Sequence, residues 1–172
     1  MVTKKQDFRD GCRAIFRLLK KNFRYGWQRL RFGKDERSPV LPDEFVLRRI
    51  HKNNFDPSLS PSVKRPAFEP NRKDDDGLSV HRELFISAEK LAWCGRDPGS
   101  YYIVRLSVKE LASDQYGVVV IACSDMDQPP GHSVIPSLSA KDAKKTKPLQ
   151  KKLANMADGL IIYKPANSSH SQ

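Results

Sequence analysis

Short apolar and alternating runs between Glu44 and Tyr163 predict a domain built from strands and short helices. Ser87 is a predicted N-cap for a helix over 88–94, and Ser107 with Glu110 forms a capping box before a helix over 108–113. A third helix is expected over 148–157, with Pro148 at a tolerated first-turn position. Strands are expected over 44–51, 78–82, 100–107, 117–123, 132–136 and 159–163.

The predicted strand over 117–123 is a continuous β-branched run, G-V-V-V-I-A-C. Such a run is typical of a strand buried on both faces, so it is expected at the centre of the sheet. The strands and helices lack the regular spacing of βαβ units. The sequence therefore predicts an α+β fold, with a mixed sheet of about five to six short strands.

A basic amphipathic helix is predicted ahead of this domain, over about residues 7–30, because apolar residues recur there at steps of mostly three and four. The first 37 residues contain twelve Lys and Arg against four acids, and so carry +8 of the net charge of +11. This concentration predicts an anionic or acidic partner: nucleic acid, another protein or a membrane surface. The alternative is a helix that packs on the chain's own core, with its charges forming a solvated face.

Four regions are expected along the chain. They are a basic amphipathic helix (1–37), a linker (38–43), the α+β domain (44–164) and a disordered tail (165–172). Between 38 and 137 there are 12 basic and 14 acidic residues, a net charge of −2, so the domain body is close to neutral. Residues 52–77 are rich in Pro, Asn and Ser, and a connection of that length predicts a binding loop or a disordered segment.

Several classes of protein are disfavoured. No apolar run has the length of a transmembrane helix, and charges interrupt the N-terminus where a secretory signal would be apolar, so a cytoplasmic protein is expected. Cys12, Cys94 and Cys123 are odd in number and lack a C-x-x-C spacing, which argues against a disulfide framework or a zinc site. P-loop, dinucleotide-binding and serine-hydrolase motifs are absent from the sequence, and no cofactor is predicted.

The candidate catalytic residues are His51, Ser79, His81 and His132. Ser79 and His81 alternate on one predicted strand and therefore share a face, together with Glu83. If three strands bring these residues together, a histidine could transfer protons while a carboxylate sets its tautomer. The competing interpretation is that Ser79, His81 and Glu83 form the solvent side of a sheet.

A metal site is not predicted. His51, His81, His132, Asp125 and Asp127 could supply ligands, but their spacing matches no known metal-binding pattern.

The candidate residues for nucleic-acid or partner binding lie in two basic clusters. Because the second cluster contains lysines and no arginines, it suits phosphate contact better than recognition of base edges, or it is a solvated helix face. The candidates are Arg9, Arg13, Arg17, Lys20, Lys21, Arg24, Trp27 and Arg31 in the first cluster, and Lys144, Lys145, Lys151 and Lys152 in the second.

Two elements of the sequence carry a resemblance to a known family: F-x-P-x-x-x-D-D-D-G-L-S-V-x-R over 68–82 and P-P-G-H-S-V-I-P over 129–136. They resemble a family of small, uncharacterised bacterial proteins with a D-D-G-L-S-V motif and a late P-x-x-H element. The resemblance spans about residues 44–163 and leaves out the basic helix. It implies a bacterial origin and an association with conflict or antiviral (anti-phage) defence loci.

His51 at a strand end and the L-S-V strand also resemble ADP-ribosyltransferase-like toxins. In those toxins, a His or Arg of an early strand and a Ser or Tyr of a second strand grip a dinucleotide. The third element of that pattern, a late catalytic Glu, is missing here, since no Glu follows Glu110.

Three functions are therefore open. The leading hypothesis is a non-enzymatic basic module, an accessory subunit of a bacterial nucleoprotein or defence complex that docks through its N-terminal helix on nucleic acid or a larger protein. The alternative is a small toxin or effector enzyme that acts on a nucleotide or nucleic acid, ADP-ribosyltransferase-like or nuclease-like. The third is a peripheral membrane protein held by the amphipathic helix.

Overall fold

The computed structural model describes residues 35–71, 75–94, 97, 99–123, 127–142 and 145–165. The predicted N-terminal helix and the tail after Pro165 lie outside these residues. The α-helices of the described part are α1 (Ala88–Ala92), α2 (Val108–Leu111) and α3 (Lys147–Ala157). Its strands are β1 (Phe45–His51), β2 (Leu78–Arg82), β3 (Tyr101–Ser107), β4 (Ile121–Ala122), β5 (His132–Ile135) and β6 (Ile161–Tyr163).

The strands form one six-stranded sheet in the order β4-β5-β2-β1-β3-β6. The predicted α+β class is confirmed, but every described pairing is antiparallel, so the sheet is not mixed. Ser87 Oγ accepts from Lys90 N at the start of α1, and Ser107 Oγ accepts from Glu110 N at the start of α2. Both predicted N-caps are therefore correct. In the part of the chain described here, no helix is long and apolar enough to cross a membrane.

The run over 117–123 is not the central strand that its composition predicts. Only Ile121–Ala122 joins the sheet, as the edge strand β4. Val118 and Val120 are buried, whereas Val119 is 62% and Ile121 49% exposed. The run therefore buries alternate side chains, as a segment at the rim of a sheet does.

Helix α3 and the turn Arg65–Phe68 cover one side of the sheet, here called the core face, where they enclose the main hydrophobic core. This core also buries Val63, Ala67 and Phe68, so residues 63–68 of the predicted loop over 52–77 pack against the domain. The opposite side is called the second face. Under α1 it carries a smaller apolar cluster of Leu47, Ile86, Leu91, Ala92 and Ile103.

Strands β1 and β2 separate soon after they meet. Their pairing joins Val46 to Arg82 and Leu47 to His81, whereas β1 pairs with β3 along its whole length. Arg48 bridges the gap, because its Nη1 donates to Ser79 O at 2.8 Å while its Nε and Nη2 donate to Ala67 O at 3.2 and 3.0 Å. The sheet therefore opens at its middle, beside Ser79.

Candidate functional site

Ser79, His81 and His132 come together on the second face of the sheet and are here called the histidine cluster. Strands β2 and β5 pair with His81 opposite His132, and Ser79 lies on the same side of β2 as His81. The two imidazole rings have centroids 5.4 Å apart. Ser79 Oγ and His132 Nε2 form a 2.6 Å hydrogen bond, whose direction depends on the tautomer of His132.

The interpretation that Ser79, His81 and Glu83 form the solvent side of the sheet is wrong for His81. His81 is 2% and His132 8% exposed, and Ser79 is half-buried. Glu83 does not join them, because its Oε2 accepts from Arg105 Nε and Nη2 at 3.0 and 2.8 Å. The Glu83 carboxylate therefore does not serve the site, although the sequence pattern placed it beside His81.

The His81 ring is held neutral. Burial, together with electrostatic repulsion from the neighbouring His132 ring and from the Arg49 guanidinium, lowers the pKa of His81 from 6.5 to about 3. Hydrogen bonding to the backbone of Pro130 and Pro129 acts in the opposite direction, but more weakly. His81 Nδ1 is buried and has no hydrogen-bond partner within the described residues. At neutral pH, the buried His81 ring beside His132 is therefore uncharged.

His51 lies at a different point on the second face. It is four residues along β1 from Leu47, the partner of His81, a separation of about 13 Å along the strand. Its Nε2 bonds to Asp97 Oδ2 at 3.0 Å, and its ring packs edge-on against Tyr101. The structure thus joins three of the four predicted catalytic residues and leaves His51 with other partners.

Arg49 lies between these two groups and was not among the predicted site residues. It lies on the same side of β1 as Leu47, its Nη1 donates to Cys94 O at 2.6 Å, and its guanidinium stands 5.3 Å from the Tyr101 ring centroid. No described residue forms a hydrogen bond with its Nε or Nη2. The adjacent arginines of R-R-I-H, inside an otherwise apolar strand, were the sequence signal for Arg49, because charges in a sheet need partners.

The second basic cluster is partly described. Lys144 lies outside the described residues, while Lys145 and the α3 residues Lys147, Lys151 and Lys152 are exposed. Lys152 Nζ donates to Gln115 O, and neither Lys147 nor Lys151 pairs with an acid in the described chain. The first cluster, from Arg9 to Arg31, lies wholly outside the described residues.

Metal ligands do not gather in the described part of the chain: it contains no group of three or more His, Cys, Asp or Glu residues that could hold an ion. Comparisons of the sequence and the fold with protein-family models, with curated proteins and with solved structures gave no match.

Proposed function

We propose that this protein is a small effector enzyme that binds a nucleotide, free or within nucleic acid, at the histidine cluster. The observation that carries the proposal is the 2.6 Å hydrogen bond between Ser79 Oγ and His132 Nε2, beside the neutral ring of His81. A hydroxyl and an imidazole at this distance are suited to proton transfer. His132 Nε2 takes the proton as the Ser79 oxygen attacks a phosphorus atom of the substrate, and the leaving-group oxygen takes that proton from His132 as its bond to phosphorus breaks.

Arg49 supports an anionic substrate. Its guanidinium is near enough to His81 to lower the pKa of that ring, and Nη1 alone has a hydrogen bond within the described residues. The remaining donors suit a phosphate group, which arginine binds through two parallel N–H groups. The ADP-ribosyltransferase-like toxins that this sequence resembles at His51 and the L-S-V strand also bind an anionic ligand, a dinucleotide.

The first prediction concerns the Ser79–His132 pair. Ser79→Ala and His132→Ala are each expected to relieve growth inhibition when the full chain is expressed in bacteria. They should also slow turnover of a nucleotide, RNA or DNA substrate by the purified protein, on the order of 10²- to 10⁴-fold. Products can be followed by mass spectrometry. His51→Ala is expected to have a smaller effect, because His51 bonds to Asp97.

Ser62→Ala is the matched control. Ser62 Oγ donates to Asp158 Oδ1 at 2.6 Å, so this change removes a hydrogen bond of the same length, but one far from the cluster. It should leave inhibition and turnover unchanged. Equal effects of Ser62→Ala and Ser79→Ala, or inhibition unaltered by His132→Ala in a folded protein, would overturn the proposal.

The outer face of α3 supports the second candidate function, a basic module in a nucleoprotein or defence complex. Lys147, Lys151 and Lys152 point to solvent, and no acid occurs between Lys147 and Ala157. This face also lacks the exposed large apolar residues that membrane insertion or a protein interface would use. Phosphate groups of nucleic acid therefore fit it best.

The second prediction tests this face. Lys147→Gln with Lys151→Gln should weaken the salt dependence of duplex DNA binding. The slope of the logarithm of the binding constant against the logarithm of salt concentration should become less steep by roughly 1.8, since each neutralised phosphate contributes about 0.9. The matched control is Lys90→Gln with Lys109→Gln, two exposed lysines on α1 and α2. Equal slopes for the two double variants would mean that net charge alone, and not the face of α3, drives binding.

The N-terminal cluster is tested separately, in the full chain. Arg9, Arg13 and Arg17 can be changed to Gln. The binding of this variant to nucleic acid and to cellular proteins is then compared with that of the wild type. Removal of residues 1–37 is a less clean test because it also removes Glu36, which bonds to the turn before His132.

A further inference from the structure

The turn that precedes His132 is held by the segment that follows the basic N-terminal region. Glu36 Oε2 accepts from Gly131 N at 2.9 Å, and Gly131 O accepts from Arg82 N at 2.8 Å. Arg82 in turn donates through Nη1 to Glu36 O at 3.2 Å and to Ser38 O at 2.9 Å. Residues 36–38 therefore contact both the turn and the strand beside it.

The Gly131 backbone packs closely against Arg82 at the end of β2. Its φ of 72° lies in the left-handed region, and a Cβ on it would lie 3.0 Å from both Arg82 O and Phe85 Cβ. His132 follows directly and begins β5 opposite His81. A shift of the Gly131 backbone would thus move the His132 ring relative to Ser79.

We infer that Glu36 is a positioning residue for His132, acting through the Gly131 N–H, and that the segment over 35–38 is part of the support of the site. The inference rests on the proposed function for its catalytic consequence, but not for its structural one. Glu36 is exposed, so its side chain does not contribute to the core. Its carboxylate accepts a hydrogen bond from a turn that lies 95 residues later in the chain. A charged acceptor on a backbone N–H makes one of the stronger hydrogen bonds.

The test uses NMR on full-length protein with ¹⁵N-labelled histidine. Glu36→Ala and Glu36→Asp, whose carboxylate is one methylene too short, are expected to shift the ring nitrogen resonances and the titration midpoint of His132. Glu36→Gln keeps an oxygen at the right reach, so it should retain the wild-type signals. If turnover is measurable, the Glu36→Ala and Glu36→Asp variants should turn over substrate roughly ten- to hundredfold more slowly, because a small misplacement of a reacting group has an effect of that size.

Glu69→Ala is the matched control, because Glu69 is an acid paired with Arg65 on the other side of the sheet. It should leave the His132 signals unchanged. Unaltered His132 resonances in Glu36→Ala and Glu36→Asp would overturn the inference. Shifted resonances in a protein that turns over no nucleotide would uphold the positioning and overturn the proposed function, so the two failures are distinguishable.

Discussion

Replacing Glu44 by glutamine is expected to lower the free energy of unfolding by about 3 to 5 kcal/mol, the cost of leaving a buried charge without its partner. Glu44 Oε2 accepts from Arg82 Nε at 2.7 Å, and Oε1 accepts from Arg82 Nη2 at 2.8 Å. The Arg82 and Glu44 side chains are only 2% and 6% exposed, so water cannot replace the lost charge. Such a loss is a large share of the roughly 5 to 15 kcal/mol that stabilises a typical domain.

Glu83→Gln is the matched control for this prediction. Glu83 forms a similar pair with Arg105, at 2.8 and 3.0 Å, but these side chains are 34% and 40% exposed. An exposed pair contributes at most about 1 kcal/mol, because solvent screens it. Chemical denaturation of both variants at neutral pH measures the difference. Equal losses would contradict the view that burial makes the Glu44–Arg82 pair the stronger requirement.

Changing Glu44 and Arg82 together should recover part of the free energy of unfolding that Glu44→Gln loses. Glu44→Leu with Arg82→Met places apolar groups where the two charges were, and such exchanges are often close to neutral. Recovery is expected to be incomplete, because Arg82 also donates to Ser38 O and Glu36 O. Of these two acceptors, Ser38 O is buried and would lose its donor.

Local signals in the sequence located most of the elements, because they depend on neighbours a few residues apart. Ser87 and Ser107 are N-caps, as their sequence contexts predict. The prediction that residues 117–123 form the central strand failed for a physical reason. When every residue is apolar, the alternation between buried Val118 and exposed Val119 leaves no trace in the pattern, so an edge segment resembles a central strand.

The site was only partly predictable. Strand alternation correctly put Ser79 and His81 on one face, but the pairing of β2 with β5 joins residues 51 apart in the chain, and no local rule specifies it. Alternation also put Arg82 on the face opposite His81, where its side chain is buried against Glu44. That contact depends on the segment over 35–44, which the sequence predicts to be partly a linker. Its Ser38 and Leu41 are instead buried.

Acidification is expected to destabilise the fold through His81 by about 5 kcal/mol between pH 6.5 and 3. Burial and the nearby His132 and Arg49 lower the pKa of His81 from 6.5 to about 3. Within this window the unfolded chain carries a proton on His81 and the folded chain does not. The unfolded state therefore binds more protons, and stability falls as the pH falls. Above pH 6.5 the ring is neutral in both states, and this loss is absent.

Urea denaturation at pH 7.5 and 4.5 measures the effect in the wild type and in His81→Gln, which keeps a polar side chain but does not titrate. The wild type is expected to lose about 3 kcal/mol more than the variant over this range. Hydrogen bonds from His51 and Ser62 lower the pKa values of Asp97 and Asp158 below 3.8, so these acids lose their contributions only at lower pH. Equal losses in the two proteins would mean that folded His81 accepts a proton, and that burial in the cluster does not keep its ring neutral.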